Sequence, residues 1–115
     1  MAARERLICS SAELVDSGDG VRFEVELDGR AEAAFAVRYD GRVHAYLNRC
    51  AHMPMELDWK LGRFFDAEGL LLVCSTHGAL YAPDTGNCLA GPCTGPLMRL
   101  AIAEREGRVY LMEQE

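Results

Sequence analysis

No apolar run in this 115-residue chain approaches the roughly eighteen residues that a membrane-spanning helix requires, so no membrane partner is expected. The opening residues Met1-Ala2-Ala3-Arg4-Glu5-Arg6 are charged and no apolar segment follows them, which argues against a secretory signal and for a cytoplasmic protein. Basic residues are few: 12 Lys and Arg face 18 Asp and Glu, for a formal charge of −6. Without a basic cluster a phosphate-binding surface has nothing to build on, and nucleic acid is excluded as a partner. The acidic excess serves solubility instead, and steers the chain toward basic patches on protein partners. Internal repeats, low-complexity tracts and interdomain linkers are missing. So is most catalytic equipment, since neither a Ser-His-Asp set nor a phosphate-binding glycine loop can be assembled. A chain of this length buries roughly two-thirds of its unfolded surface in one core, and residues 1–115 are expected to form one domain.

Histidine is scarce, with three residues, and the five cysteines are odd in number. In a reducing compartment such a count reads as metal ligands plus buried thiols rather than a disulfide framework. Cys9 falls in an apolar stretch and is expected to pack as a small hydrophobe. Cys88 and Cys93 lie close together in sequence and are expected to stay reduced. The remaining sulfurs sit in two short mixed pairs, Cys50-Ala51-His52 and Cys74-Ser75-Thr76-His77, with Gly78 behind the second. Twenty-one residues separate His52 from Cys74, too many for one chelating loop and suited to two loops on neighbouring hairpins. Thiolate with imidazole points to zinc or to iron-sulfur chemistry. Structural zinc sites usually combine a cysteine pair with a histidine pair. Here each pair is mixed, which suits two irons, one taking both thiolates and the other both imidazoles. A structural zinc module is the alternative from another class.

Elsewhere the chain reads as strands and turns. Leu7-Ile8-Cys9 is a short apolar strand, and Ser11-Ala12-Glu13-Leu14 offers a capping serine for one helical turn. Val21–Leu27 alternates apolar and polar, the period of a strand with one wet face, and Asp28-Gly29 marks a turn. Residues 32–39 have an Ala-rich middle with helical propensity, but Asp40-Gly41 joins them to residues 42–47 as a hairpin. His44 is then an ordinary strand side chain. Leu57 and Trp59 are expected to fold back as shielding, with Met53 and Met55 filling core or forming a soft docking surface. Phe64-Phe65 forms a short strand between turns at 60–63 and 66–69, and residues 70–73 are an apolar run of strand length leading into Cys74. Residues 83–86 turn, 87–89 return, and 97–104 with 108–112 close a last hairpin around Glu106-Gly107. Short strands with closely spaced turn signals and no helix layer give an all-β fold, a small antiparallel β-sandwich or barrel.

Cys50, His52, Cys74, His77 and Gly78 together spell Cys-x-His followed by Cys-x-x-His-Gly, and in this pattern the chain resembles the Rieske-type iron-sulfur proteins. The resemblance runs on through Tyr81, the Thr85-Gly86 turn and Gly91-Pro92, the last similar to that family's proline loop, and so covers most of the chain from Asn48 onward. It implies a Rieske-like fold whose subdomain of two ligand loops holds one 2Fe-2S cluster through Cys50, His52, Cys74 and His77. It also implies that Gly91-Pro92 and Gly95-Pro96 bracket a third wall, and that electrons leave through a histidine edge near solvent. Members from cytochrome bc complexes carry two further cysteines that bridge their ligand loops; those positions are Met55 and Thr76 here. The serine that follows His-Gly in those members is Ala79. Both departures point to the soluble, low-potential ferredoxin branch.

Two thiolates and two neutral imidazoles bring a core of charge about +2 to roughly zero, where four thiolates leave about −2. Rieske centres accordingly span roughly −150 to +300 mV, against about −400 mV for plant-type ferredoxins. With no hydroxyl at Ala79, and only Tyr81 placed to supply one, a potential near the lower end is expected, falling as pH rises through the histidine pKa values. The chain lacks the two further histidines and the carboxylate that a mononuclear oxygen-activating iron would need. The resemblance therefore implies an electron carrier rather than an enzyme, a ferredoxin component that passes one electron from a flavin-dependent reductase to a terminal oxygenase. Alternatives are a small subunit or docking module of another oxidoreductase, of the nitrite-reductase type, and a redox sensor using Cys88 and Cys93.

Overall fold

Turns with left-handed backbone set the path of the chain. Asp40 and Gly41 have φ of 51° and 80°, and Glu106 and Gly107 have φ of 51° and 77°, the geometry whose twist matches two antiparallel strands joined by two residues. The structure is a computed structural model and describes residues 3–27, 29–49, 56–58, 62–74, 78–91 and 95–114. Among these, the strands are β1 (Ala3–Ser10), β2 (Val21–Leu27), β3 (Arg30–Tyr39), β4 (Arg42–Leu47), β5 (Leu72–Val73), β6 (Leu80–Tyr81), β7 (Cys88–Ala90), β8 (Arg99–Leu100), β9 (Ile102–Arg105) and β10 (Arg108–Gln114). They form three antiparallel sheets in the orders β1-β10-β9, β2-β3-β4-β8 and β5-β6-β7. The expected helical turn is a single 3-10 turn, Ser11–Glu13, with Ser10 at its N-cap. The Ser10 N–H donates to the Glu13 carboxylate at 2.8 Å.

The central strands of the four-stranded sheet, β3 and β4, are covered on both faces, and this explains their composition. Cross-strand partners share a face, and the register pairs Phe35 with Tyr46 and Val37 with His44. Phe35, Val37 and Tyr46 pack with Leu57, Phe64, Leu72, Cys74 and Tyr81 on the side of the small sheet. On the other face Ala36 and Ala45 meet Cys9, Leu14 and Val109, and Ala34 and Leu47 meet Val25 and Leu111. Small side chains at 34, 36 and 45 let the β1-β10-β9 sheet approach closely, so the Ala-rich stretch is a doubly buried strand rather than a helix. Phe35 stacks on Phe64 with ring centroids 3.9 Å apart, a contact worth about 0.5–1.5 kcal/mol beyond burial itself. Cys9 is buried, as expected of a thiol acting as a hydrophobe.

Three strand expectations are corrected. Residues 97–104 are not one strand: the chain breaks at Ala101, so that β8 pairs with β4 while β9 pairs with β10, and the Ala101 carbonyl accepts from Met112 N–H at 3.0 Å. One apolar stretch thus serves two sheets, which its periodicity does not reveal. Only the second half of residues 70–73 is strand; the N–H groups of Leu70 and Leu71 donate to the Asp66 carboxylate in a turn, which leaves Leu70 largely exposed. Phe64-Phe65 is not a strand: Phe65 makes an isolated antiparallel bridge with Leu72. The expected turn at Asp28-Gly29 lies partly outside the described residues, Gly29 having φ of 76°.

Arg38 ties the far end of the sheet to its neighbours. Its guanidinium donates to the carbonyls of Leu14, Ser11 and Gly41 and pairs with the Glu104 carboxylate. Those hydrogen bonds hold Glu104 below the usual carboxylate range. At the other side, Tyr46 anchors the small sheet: its buried hydroxyl donates to the Pro83 carbonyl at 2.8 Å, and Leu97 N–H donates to the Gly86 carbonyl at 2.8 Å beside it. Burial pushes the Tyr46 hydroxyl up to about 12. Tyr46→Phe should therefore destabilise the chain by about 1–3 kcal/mol, the cost of an unsatisfied buried carbonyl, read as a lower denaturation midpoint. The sign of the pH effect follows from a raised folded-state pKa. An unfolded tyrosine ionises near 10 and the folded one near 12, so the stabilisation is whole below pH 10 and lost as pH rises through 12. The gap between wild type and Tyr46→Phe should close across that window in denaturation curves taken at stepped pH.

Candidate metal centre

The second ligand loop leaves β5 directly at Cys74 and returns at β6. Two backbone bonds close it, Cys74 N–H to the Ala79 carbonyl and Gly78 N–H to the Cys74 carbonyl, each 2.8 Å. Gly78 takes φ of 72° at the corner, a conformation that disfavours side chains. Cys74 is 0% exposed, lies outside any disulfide and packs in the core with Leu57, Ala79 and Tyr81.

A second wall comes from the end of β7. Gly91 has φ of 91°, and a Cβ there would sit 2.8 Å from the Ala79 Cα and 3.3 Å from the Gly78 carbonyl oxygen. The chain after β7 therefore presses backbone to backbone on the Cys74 loop, a close approach open only to glycine. By resemblance Gly91 begins the proline loop; the structure gives it this steric role. Pro92, Cys93 and Thr94 lie outside the described residues.

The described residues flanking the first candidate ligand loop are joined by polar side chains. Asn48, 3% exposed, donates its backbone N–H to the Ala33 carbonyl at 2.8 Å. Its Oδ1 accepts from Leu57 N–H at 2.8 Å, and its Nδ2 donates to Asp58 Oδ1 at 3.1 Å. Asp58 Oδ2 accepts from Gly62 N–H at 3.1 Å and faces Arg22 Nε at 3.6 Å, while Arg22 also pairs with Glu56 at 2.7 Å. Sequence reasoning passed over Asn48, Asp58 and Arg22, because polar side chains that close a loop carry no periodic signal. At the rim, exposed Arg49 pairs with Glu32 at 2.9 Å.

Of the four expected ligands, Cys74 is placed; Cys50, His52 and His77 lie outside the described residues, as do Met53, Met55, Trp59 and Thr76. Leu57 is fully buried in the core that also holds Cys74. His44 stays a strand residue, buried in β4, and its pKa is lowered by burial and then by Arg99. Cys88 is disulfide-bonded, which corrects the expectation of a reduced thiol; Cys93 is outside the described residues. Compartment chemistry sets an average tendency, whereas a particular bond depends on which sulfurs the fold brings within reach. The described parts fit a two-iron group: a ligand cysteine has to be buried and outside disulfides, and Cys74 is both. Among the described residues no group of three or more His, Cys, Asp and Glu is arranged to hold a metal.

A family model described as the Rieske [2Fe-2S] domain matches residues 5–104. No curated protein sequence matches the chain. Among solved structures, the ferredoxin of carbazole 1,9a-dioxygenase from Nocardioides aromaticivorans IC177 superposes with a TM-score of 0.71 at 23% identity, over 99% of this chain and 100% of that one. The Sphingomonas yanoikuyae B1 ferredoxin gives 0.70 at 23% identity, over 97% and 100%. A complex of reduced oxygenase and oxidized ferredoxin in carbazole 1,9a-dioxygenase contains a chain that gives 0.72 at 21% identity, over 96% and 95%. These likenesses establish the fold. Gly91→Ala should cost about 1–3 kcal/mol in backbone strain and force the two loops apart. Metal content per purified chain should fall well below wild type, as read by elemental analysis; full metal loading would show that the contact is dispensable.

Proposed function

The chain belongs to the Rieske [2Fe-2S] domain family, and from that premise we propose that it is a one-electron carrier, taking its electron from a flavin-dependent reductase and delivering it to a terminal oxygenase. The observation that carries this reading is the match along the whole length of a ferredoxin, 99% of this chain against 100% of that protein. An oxygenase as acceptor is supported by the complex of oxygenase and ferredoxin whose chain shares this fold. The family's cofactor is one [2Fe-2S] cluster, which supplies, when bound, a centre that takes up and returns a single electron. Cys50 and Cys74 are the residues we assign as its thiolate ligands, and His52 and His77 as its imidazole ligands.

The described residues suit that task in three ways. Cys74 is withdrawn from solvent, so its sulfur is kept from water and oxidants. The backbone of its loop is internally bonded at both ends of the turn and pinned by Gly91, so little has to rearrange when charge arrives or leaves. Exposed Gly78 and Gly91 with the exposed Leu89 and Ala90 beside them give the rim small or uncharged groups, which lets an acceptor approach closely. The overall charge of −6 fits partners with basic docking patches and makes encounter salt-sensitive.

Reconstitution tests the role. The loaded chain, mixed with a flavin-dependent reductase and a terminal oxygenase from its native host, should be required for oxygenase turnover. The rate should fall as salt is raised. Undiminished turnover with the chain left out would contradict the proposal.

A further inference from the structure

The chain entering and the chain leaving the first pair of proposed ligands are joined to each other by polar side chains. Residues 49–56 are spanned by one side chain: Asn48 precedes them, and its Oδ1 accepts from Leu57 N–H at 2.8 Å. That amide cannot rotate, because its Nδ2 is engaged by Asp58 Oδ1 at 3.1 Å. Asp58 has a side chain only 2% exposed. A carboxylate so buried is costly unless its oxygens are met by donors, and here they are met by Asn48, by Gly62 N–H and by Arg22 from β2. The network therefore joins the four-stranded sheet to both ends of the loop. Its geometry is directional, with the amide accepting from the loop and donating to the carboxylate.

We infer that Asn48 and Asp58 are positioning residues for the metal centre: as a donor–acceptor pair they fix the spacing across the first ligand loop, and with it the retention and potential of the cluster. The inference rests on the assignment of Cys50 and His52 as ligands. Simple stabilisation of the fold is the competing explanation, and the two differ in whether potential and signal shift, which a loss of stability elsewhere in the fold leaves unchanged. Asn48→Asp alone sets carboxylate against carboxylate. Asp58→Asn alone turns an NH2 toward either the Asn48 amide or the Gly62 N–H. In the double variant the two groups have traded places: position 48 still accepts from Leu57 N–H, position 58 donates to it, and the remaining amide oxygen accepts from Gly62 and Arg22.

The test uses the cluster-loaded chain and three readouts: iron release to a chelator, reduction potential, and the reduced-state electron paramagnetic signal. Each single variant should release iron about tenfold faster or more, as expected for loss of a charge-assisted buried hydrogen bond, with a shifted potential and a broadened signal. The double variant should return release to within about twofold of wild type. Arg38→Ala, which weakens the fold at the opposite end of the sheet, serves as the control: its denaturation midpoint should fall while potential and signal stay at wild-type values. Should a single variant fail to fold, a double variant that folds and loads supports the pairing, and one that does not overturns it. Indifferent single variants, or a double variant no better than the worse single, overturn the clamp alone. Wild-type protein without the cluster overturns the ligand assignment and the clamp together.

Discussion

A metal group gripped by two loops can be rigid only if something other than the metal fixes the distance between them. Here that something is the four-stranded sheet, whose central strands β3 and β4 are buried on both faces. Its Phe35, Val37 and Tyr46 side chains form the floor on which Leu57, Phe64, Leu72 and Cys74 pack, so the first loop, rising from the end of β4, and the second, rising from β5, share one foundation. The opposite face, lined by Ala34, Ala36 and Ala45, is sealed by the β1-β10-β9 sheet. Close packing on both sides means that a shift of either loop must displace well-packed side chains, and interiors resist such shifts.

The second loop and its wall are held by backbone. Cys74, Gly78 and Ala79 form a closed turn, and Gly91 lies so near Ala79 that a methyl group has no room. The first loop is held instead by Asn48 and Asp58. Backbone closure tolerates most side chains but demands glycine at particular angles, whereas side-chain closure demands particular polar residues and leaves the backbone freer. Among the described residues, backbone bonds close the turn at Cys74 and side-chain bonds join the flanks of the first loop, so the two have different vulnerabilities to mutation.

Much of this was legible in the sequence. The Asp40-Gly41 and Glu106-Gly107 turns fixed the hairpins, because few residue pairs accept two positive φ values in succession, and the alternation of Val21–Leu27 marked a half-exposed strand. The mixed Cys-His pairs name candidate ligands from residue type and spacing alone, and of these the described residues include Cys74. Less legible was the division at Ala101, where apolar character continues but the strand changes sheets. Leu70 and Leu71 misled for the related reason that their apolar side chains outweigh the turn imposed by Asp66. Asn48, Asp58 and Arg22 left no pattern at all, being distant in sequence and joined only in space. The Cys88 disulfide ran against a compartment argument that cannot see local geometry.

The central claim is that Cys50, His52, Cys74 and His77 together hold one two-iron cluster of the kind the family description names. Iron and acid-labile sulfide, measured per chain on protein purified without oxygen, test it most directly. The account requires two irons and two sulfides per chain, as in a [2Fe-2S] group, falling to none when His52 and His77 are both replaced by alanine. A single zinc per chain, or full iron and sulfide content in the doubly substituted protein, would contradict it.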